Sequence, residues 1–206
     1  MIQAVAVDYG GVLVDLPSGT ANVARIAAAV GRSPQALLDG VYGPGRSRWR
    51  RARVGELPEA DLWAAAQREL GMTETQVDWV RRQLFDDVGV RAAVLRYLWD
   101  IRSHVRLALV SNAIPSFADT WRRLGLLELF HVVVNSSAVG LAKPDPEIFR
   151  WLLRQLDVPP AACLVVDDQA QNRRSADGLT MPTVDGADPE QTIAAIAAAI
   201  GVAPKP

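Results

Sequence analysis

Five short runs of apolar residues recur along the 206-residue chain, and each predicts a β-strand. They are continuous rather than alternating, which indicates strands that are buried on both faces. The runs are IQAVAV at 2–7, VRLALVS at 105–111, HVVVNS at 131–136, ACLVVD at 162–167 and, more weakly, MPTV at 181–184. Strands of this kind are typical of parallel sheets that are covered on both sides.

Apolar residues with helical spacing occupy the segments between the later strands. These segments are 114–130, 145–158, 169–179 and 188–201. Ser116 is a candidate N-cap, Asp145 followed by Pro146 is a good opening turn, and Gly201 is a stop signal. The alternation predicts an α/β fold, a Rossmann-like parallel sheet with helices on both faces. Polar residues at the carboxyl ends of its strands are then expected to converge in one crevice.

The connection between the first and second strands is far longer than a single helix requires. No run between residue 15 and about residue 104 has the pattern of a strand, and helices are predicted at 18–31, 33–41, 57–70, 73–87 and 91–103. The last of these is expected to pack on the sheet. The others predict an inserted α-helical cap of residues 15–91 above a core of residues 1–14 and 92–206.

Charge and composition narrow the classes of partner. The chain has 22 basic and 23 acidic residues, so neither a nucleic acid nor a membrane surface is expected to bind it. Because Cys163 is the single cysteine, no disulfide can form within the chain. The sequence shows no export signal and no bilayer-spanning stretch, so we expect a cytoplasmic protein, monomeric or homodimeric.

Asp8 ends the first apolar run, and a pair of glycines follows two residues later. A carboxylate at this place is suited to be a metal ligand or a nucleophile. Gly10 and Gly11 let a phosphate approach the backbone closely, and successive bare N–H groups form an anion-binding turn. The alternative is a solvated aspartate ahead of a glycine turn, and this segment alone does not decide between them.

Two further positions would bring polar groups to the same crevice. Ser111 and Asn112 end the second strand, where the hydroxyl and the following N–H groups would hold a phosphoryl oxygen. A serine in such a place is more often a turn or cap residue. Lys143 precedes Pro144 and a helix start, from which its ammonium group would neutralise charge in the site. A surface lysine is the alternative.

Asp167 and Asp168 follow the fourth apolar run directly. Adjacent carboxylates repel one another unless a cation or hydrogen-bond donors compensate them. Asn172 lies four residues beyond Asp168 and offers an amide oxygen from the start of the next element. Hard oxygen ligands of this kind suit Mg²⁺, which is commonly shared with a phosphate group. A helix cap at Asp168 is the alternative.

Five arginines surround Trp49 in the stretch GRSRWRRARVGE, at positions 46, 48, 50, 51 and 53. One hypothesis is a clamp for an anionic substrate with an aromatic platform, because arginine binds phosphate and carboxylate with two hydrogen bonds. The more ordinary interpretation is a solvated helix face. One or two of these arginines are expected in the crevice, and Arg50 is the candidate that we assign to substrate binding with Gly10, Gly11 and Asn112.

Taken together, these residues resemble the haloacid dehalogenase-like hydrolase superfamily along the whole chain. Asp8 matches its first motif, Ser111 the second, Lys143 the third, and Asp168 with Asn172 the fourth. The stretch KPDPEIF at 143–149 is typical of members with a helical cap inserted after the first strand. The resemblance implies a phosphatase that acts on a small phosphorylated metabolite through an aspartyl-phosphate at Asp8.

The resemblance also implies the roles of the other site residues. Lys143 and Ser111 would join Asp8 in catalysis by stabilising the oxygens of the transferred group. A Mg²⁺ ion would offset the repulsion between the Asp8 carboxylate and the phosphate anion. The residues implied as its ligands are Asp8, the carbonyl of Gly10, Asp168, Asp167 (directly or through water) and Asn172.

Two positions depart from the pattern of that superfamily. Most of its phosphatases have a second aspartate two residues after the nucleophile, as general acid and base, and this chain has Gly10 there. The glycine expected to end the helix after Asn172 is also displaced, with Thr180 near its place, which predicts a remodelled loop. Two alternatives therefore stay open: a weakly active or non-catalytic protein that binds phosphate or a partner, and a 2-haloacid dehalogenase-type hydrolase.

Overall fold

A five-stranded parallel sheet forms the centre of the computed structural model, which describes residues 1–15 and 20–205. Its strands are β1 (Ala4–Val7), β4 (Arg106–Ser111), β5 (Val132–Asn135), β6 (Cys163–Asp167) and β7 (Thr183–Asp185). They lie side by side in the order β5-β4-β1-β6-β7. All five predicted strands are therefore confirmed. Strand β1 lies at the centre of the sheet, and its four residues are all buried.

Alternate side chains of β1 enter two different apolar layers. Val5 and Val7 pack on the side of helices α6 (Ala92–Ile101) and α12 (Pro189–Ile200). Ala4 and Ala6 pack on the side of helix α10 (Pro146–Leu156). The remaining helices of this part are α7 (Phe117–Arg123), α8 (Leu126–Leu129), α9 (Ser136–Val139) and α11 (Ala170–Asp177). The Rossmann-like arrangement with helices on both faces is confirmed.

Helix ends follow the sequence signals at Asp145 and at Gly201, which ends α12, and depart from them at Ser116. Asp145 accepts a hydrogen bond from the Glu147 N–H at 2.9 Å, so it caps α10 as predicted. Ser116 precedes α7 but makes no side-chain cap. Its N–H donates to Glu59 Oε2 at 2.9 Å, so a carboxylate from a distant helix binds the backbone just before α7.

Helices dominate the long segment between β1 and β4. They are α1 (Thr20–Ala29), α2 (Pro34–Tyr42), α3 (Ser47–Ala52), α4 (Glu59–Leu70) and α5 (Glu74–Arg81). A π-helical turn, Arg82–Asp86, continues α5. Short α3 was not predicted, and the first two residues of the predicted helix 18–31 lie outside the described residues. The division into core and cap at 14/15 and 91/92 stays a prediction.

Two very short strands, also not predicted, join the ends of this segment. Strand β2 (Val14–Asp15) pairs antiparallel with β3 (Gly89–Val90), so the chain leaves and re-enters the sheet region side by side. Two-residue strands have no hydrophobic period to detect, and only their tertiary partner defines them. The expectation that residues 15–104 hold no strand is therefore wrong.

Aromatic rings connect the helical segment to the layer over the sheet. Phe85 in the π-helical turn stacks on Trp49 at 5.5 Å between ring centroids and contacts Phe117 at 5.4 Å. Phe117 in turn meets Tyr9 edge-on at 5.9 Å, directly after Asp8. Because these residues share one continuous apolar cluster with β1, packing fixes the helices over the carboxyl ends of the strands.

Backbone strain is present at Thr180, in the loop after α11. Its φ is +63°, a left-handed conformation that is unfavourable for a β-branched residue. This is the place where the resemblance predicts a glycine, so the threonine takes up the conformation that a glycine would have. In the described residues, no helix is long and apolar enough to cross a membrane.

Arg91 binds three segments at the point where the helical segment returns to the sheet. Its guanidinium group donates to the carbonyls of Gly11 at 2.5 Å, Gly186 at 3.1 Å and Ala187 at 3.0 Å. It also pairs with Asp15 of β2 at 2.8 Å. One largely buried side chain therefore ties the glycine turn, the β2–β3 pair and the loop after β7 together.

We expect Arg91→Lys to lower the free energy of unfolding by about 2 kcal/mol, because an ammonium group cannot reach all these acceptors. Urea denaturation of the purified protein measures the change. Arg96→Lys is the matched control, since Arg96 is exposed on the same helix, and should stay within about 0.5 kcal/mol of the parent chain. Equal losses in the two variants would contradict this role of Arg91.

Candidate active site

The carboxyl ends of three neighbouring strands bring the predicted residues together. In the register of the sheet, Val7 is paired with Leu109 on one side and with Val166 on the other. Asp8, Ser111 and Asp167 follow at the same edge because parallel strands end in the same direction. The convergence predicted from sequence is therefore observed, although the chain positions are far apart.

Lys143 lies between two carboxylates in the centre of this edge. Its Nζ is 2.9 Å from Asp8 Oδ1 and 2.6 Å from Asp167 Oδ2. The three residues are almost fully buried, with 8 % of Asp8, 2 % of Lys143 and 1 % of Asp167 exposed. The surface alternative for Lys143 is wrong: its ammonium group is the buried counter-ion of the site.

The side chain of Asn112 fixes the backbone of Lys143. Its Oδ1 accepts from the Lys143 N–H at 2.8 Å, and its Nδ2 donates to the Lys143 carbonyl at 2.8 Å. Because both ends of the amide are used, the Asn112 side chain positions Lys143. The predicted substrate binding by Asn112 would therefore have to use its backbone N–H, and it stays a prediction.

Asp167 is held by donors on every side. Its Oδ1 accepts from the Gln169 N–H and from Asn172 Nδ2, both at 2.9 Å. Asn172 Nδ2 also lies 3.0 Å from Oδ2, the oxygen that meets Lys143. These bonds orient Asp167 towards the lysine. They leave Asn172 Oδ1 as a buried oxygen without a hydrogen-bond partner.

Asp168 points in a different direction and lies against the glycine turn. A Cβ atom at Gly11 would stand 2.5 Å from Asp168 Oδ2, and Gly11 has a φ of +77°. Only glycine therefore lets the turn and this carboxylate approach so closely. Asp168 Oδ1 is buried and has no hydrogen-bond partner, so the carboxylate is available for another ligand.

Burial and charge act together on these acids. Burial raises the pKa of Asp8 to about 7, with the charge of Asp167 adding to it and Lys143 opposing it. Burial likewise raises the pKa of Asp168, again with a contribution from Asp167. Burial alone would lower the pKa of Lys143, but the two carboxylates outweigh it and the net direction is upward. One ammonium group thus faces three carboxyl groups.

A divalent cation fits this excess of negative charge. Oxygens of Asp8, Asp167 and Asp168 lie within 4.8 Å of one another, and in residues 1–15 and 20–205 no other such group of acids, histidines or cysteines occurs. The unpartnered oxygens of Asp168 and Asn172 are hard ligands, as Mg²⁺ requires. The assignment of Asp8, the Gly10 carbonyl, Asp167, Asp168 and Asn172 to magnesium stays a prediction with this support.

A cavity of about 600 Å³ opens over Asp8 between the strand ends and the helical segment. Ser111, which is nearly buried at the end of β4, lies on its wall with Gly10, Lys143 and Arg50. Arg46, Arg53 and Trp49 of the stretch GRSRWRRARVGE also line it. Other lining residues include Tyr42, Phe85, Phe117, Gln169 and Gln171. The sequence signal that could have placed Arg46, Arg50 and Arg53 on one wall is their spacing of four and three residues.

Comparison with known proteins gives matches over nearly the whole chain. The sequence model of a family described as haloacid dehalogenase-like hydrolase matches residues 2–176. D-ribitol-5-phosphate phosphatase from Bacteroides thetaiotaomicron is 28 % identical over 211 aligned positions, which cover 95 % of this chain and 98 % of that protein.

Solved structures agree in fold. A predicted HAD-like family hydrolase from Porphyromonas gingivalis superposes with a TM-score of 0.79 at 25 % identity, covering 97 % of this chain and 98 % of that one. A HAD family enzyme from Bacteroides thetaiotaomicron, in complex with magnesium and inorganic phosphate, gives a TM-score of 0.71 at 20 % identity and covers 90 % and 94 %.

We expect the protein to bind Mg²⁺ more tightly at pH 8 than at pH 6. A protonated carboxyl group is a poor metal ligand, so below pH 7 the metal has to displace the proton held by Asp8. The apparent affinity should fall by up to about tenfold per pH unit in that range. Titration calorimetry of the metal-free protein at several pH values measures it.

Asp168→Asn should weaken this binding strongly, whereas Asp78→Asn, an exposed position on α5, is the matched control and should leave it unchanged. An affinity that does not vary between pH 6 and pH 8, or that survives Asp168→Asn intact, would contradict the assignment of the cation to this cluster.

Proposed function

The chain belongs to the haloacid dehalogenase-like hydrolase family, and we propose that it is a Mg²⁺-dependent phosphatase acting on a small phosphorylated metabolite. The reaction would pass through an aspartyl-phosphate on Asp8. The observation that carries this proposal is the buried Lys143 between Asp8 and Asp167, next to a cluster of unpartnered oxygens. The similarity to D-ribitol-5-phosphate phosphatase supports a small phosphorylated substrate.

Asp8 is suited to be the nucleophile because its two oxygens have different surroundings. Oδ1 accepts from the Tyr9 N–H at 2.7 Å and meets Lys143 at 2.9 Å. Oδ2 has no hydrogen-bond donor among the described residues, and Asp8 lies on the cavity wall. In our proposal Oδ2 attacks phosphorus, the bond to the leaving oxygen breaks with its electron pair, and water later cleaves the acyl phosphate.

Lys143 and Ser111 would stabilise the oxygens of the phosphoryl group during both steps. Ser111 ends the strand next to β1, Lys143 contacts Asp8 from a loop, and both residues line the cavity. The Asn112 amide and the Asp167 carboxylate hold Lys143 in place before substrate binds, which spares the cost of reorganising a flexible lysine. Backbone N–H groups of the turn at Gly10 and Gly11 would add further donors.

Magnesium, when bound by Asp8, Asp168, the Gly10 carbonyl and Asn172, would supply charge neutralisation that lets the carboxylate approach the phosphate anion. Asp167 would support this site from behind through Asn172, since both of its oxygens are already hydrogen-bonded.

Gly10 limits the range of leaving groups in this proposal. Among the described residues that line the cavity, Asp8 carries the only carboxyl group, so no second acid stands ready to protonate the departing oxygen. General acid catalysis is worth about 10²–10⁴-fold. Substrates whose leaving group needs little protonation, such as a sugar 1-phosphate or an acyl phosphate, are therefore favoured. The helical segment 15–91 would act as the cap that sets specificity.

We expect Asp8→Asn to lower the rate of phosphate release from acetyl phosphate and p-nitrophenyl phosphate by at least about 10³-fold, because it removes the nucleophile. Release by the parent chain should require Mg²⁺. Asp78→Asn is the matched control and should keep the parent rate, and circular dichroism should show that both variants are folded.

Three outcomes separate the proposal from its alternatives. Metal-dependent release that Asp8→Asn abolishes supports the phosphatase. Metal-independent release of halide from 2-haloacids would support a dehalogenase-type hydrolase instead. A folded protein without turnover on a broad panel of phosphates would support the non-catalytic alternative and would end the proposal.

A further inference from the structure

We infer that the substrate carries a second oxyanion, a carboxylate or a phosphate, which Arg46, Arg50 and Arg53 bind while the phosphoryl group reacts at Asp8. This inference rests on the proposed function, because it names the class of substrate for the same cavity. The three arginines and Asp8 line one continuous space of about 600 Å³.

The three arginines lie in and directly beside a short helix. Arg46 precedes α3, Arg50 lies in it and Arg53 follows it. We call these three residues the arginine stripe, because all of them line the same cavity. The other arginines of the stretch behave differently: Arg48 pairs with Glu69 at 2.6 Å, and Arg51 does not line the cavity. Arg46 and Arg50 are exposed and Arg53 is half-buried, so all three line the cavity with their charges open to a ligand.

These three cations have no counter-ion in the described part of the chain. No carboxylate there forms an ion pair with any of them, whereas Arg48 nearby has one. Arg50 donates to the Gly45 carbonyl at 2.6 Å, and the Arg46 guanidinium lies 5.4 Å from the ring centre of Tyr42. Both contacts orient a guanidinium group but leave its charge uncompensated.

Arg53 shows the cost of this arrangement. It is half-buried, and burial, together with the neighbouring charge of Arg50, lowers the pKa of its guanidinium group. Like charges at this spacing destabilise a helix. An anion bound between Arg50 and Arg53 would reverse both effects, and arginine recognises carboxylate and phosphate with paired, charge-assisted hydrogen bonds.

Backbone geometry at the start of the stripe is also unusual. Arg46 has a φ of 59°, directly after Gly45 with a φ of 58°. A side chain in the left-handed region is strained, and such strain persists where the surroundings demand it. Here the turn ends at Arg46, directly before α3, and brings this arginine onto the cavity wall beside Tyr42.

Aromatic walls between the two anionic ends fit a short carbon skeleton. Tyr42, Trp49, Phe85 and Phe117 all line the cavity. The substrate class is therefore a phosphorylated small acid or a bisphosphate. A neutral polyol phosphate would leave the arginine stripe without a partner.

The test compares matched substrates that differ in one anionic group. The pairs are glucuronic acid 1-phosphate against glucose 1-phosphate, for a carboxylate, and glucose 1,6-bisphosphate against glucose 1-phosphate, for a phosphate. We expect kcat/KM to be at least about tenfold higher for the doubly anionic member of one pair, since paired charge-assisted bonds are worth that much. The pair that shows the effect identifies the second oxyanion.

Arg53→Met should lower this ratio by tenfold or more, and Arg50→Met, at an exposed position, should lower it in the same direction. Arg51→Met is the matched control on the same helix and should leave the ratio unchanged. Equal kcat/KM values within both pairs, or a ratio that Arg50→Met and Arg53→Met do not change, would overturn the inference.

Binding to the Asp8→Asn protein, measured by calorimetry with the same three compounds, keeps this result separate from turnover. If no phosphate ester is hydrolysed, the proposed function fails. The oxyanion site would still be supported by tighter binding of the doubly anionic compounds that Arg53→Met removes, and overturned by binding that ignores the second anion.

Discussion

The buried ammonium group of Lys143 is the interaction on which the rest of this site depends. Two carboxylates at the ends of neighbouring strands would repel each other in a dry environment, and Lys143 lies within 3 Å of both. Removing one member of such a buried group is costly because a charge is then left without a partner. Asp8 and Asp167 can therefore share one sheet edge only because a third segment brings the lysine between them.

The neighbouring structure serves this arrangement. The Asn112 side chain hydrogen-bonds the backbone of Lys143, and Asn172 Nδ2 donates to the Asp167 carboxylate. Because Gly11 has no side chain, Asp168 can approach the same centre. Arg91 donates a hydrogen bond to the Gly11 carbonyl and holds the turn in place. In our proposals, a divalent cation matches the excess negative charge that remains, and Arg46, Arg50 and Arg53 bind the substrate in the same cavity as Asp8.

Much of this could be predicted from sequence because strands of a parallel sheet end at one edge. Continuous apolar runs located all five strands, and the residues after them located Asp8, Ser111 and Asp167. The roles of Asp167 and Asp168 could not be separated, since adjacent side chains point in different directions only once the turn is built. The β2–β3 pair and the Glu59 contact to Ser116 depend on residues far apart in the chain. Whether an arginine faces solvent or the cavity likewise depends on tertiary packing, as Arg48 and Arg53 show.

Acid-quenched enzyme, mixed briefly with a phosphorylated substrate and Mg²⁺ and then digested, tests the central claim most directly. Mass spectrometry should find a phosphoryl group on the peptide that contains Asp8, and hydroxylamine should remove it, as expected for an acyl phosphate. A turning-over enzyme whose peptides carry no phosphoryl group at Asp8, or carry it at another residue, would contradict the account.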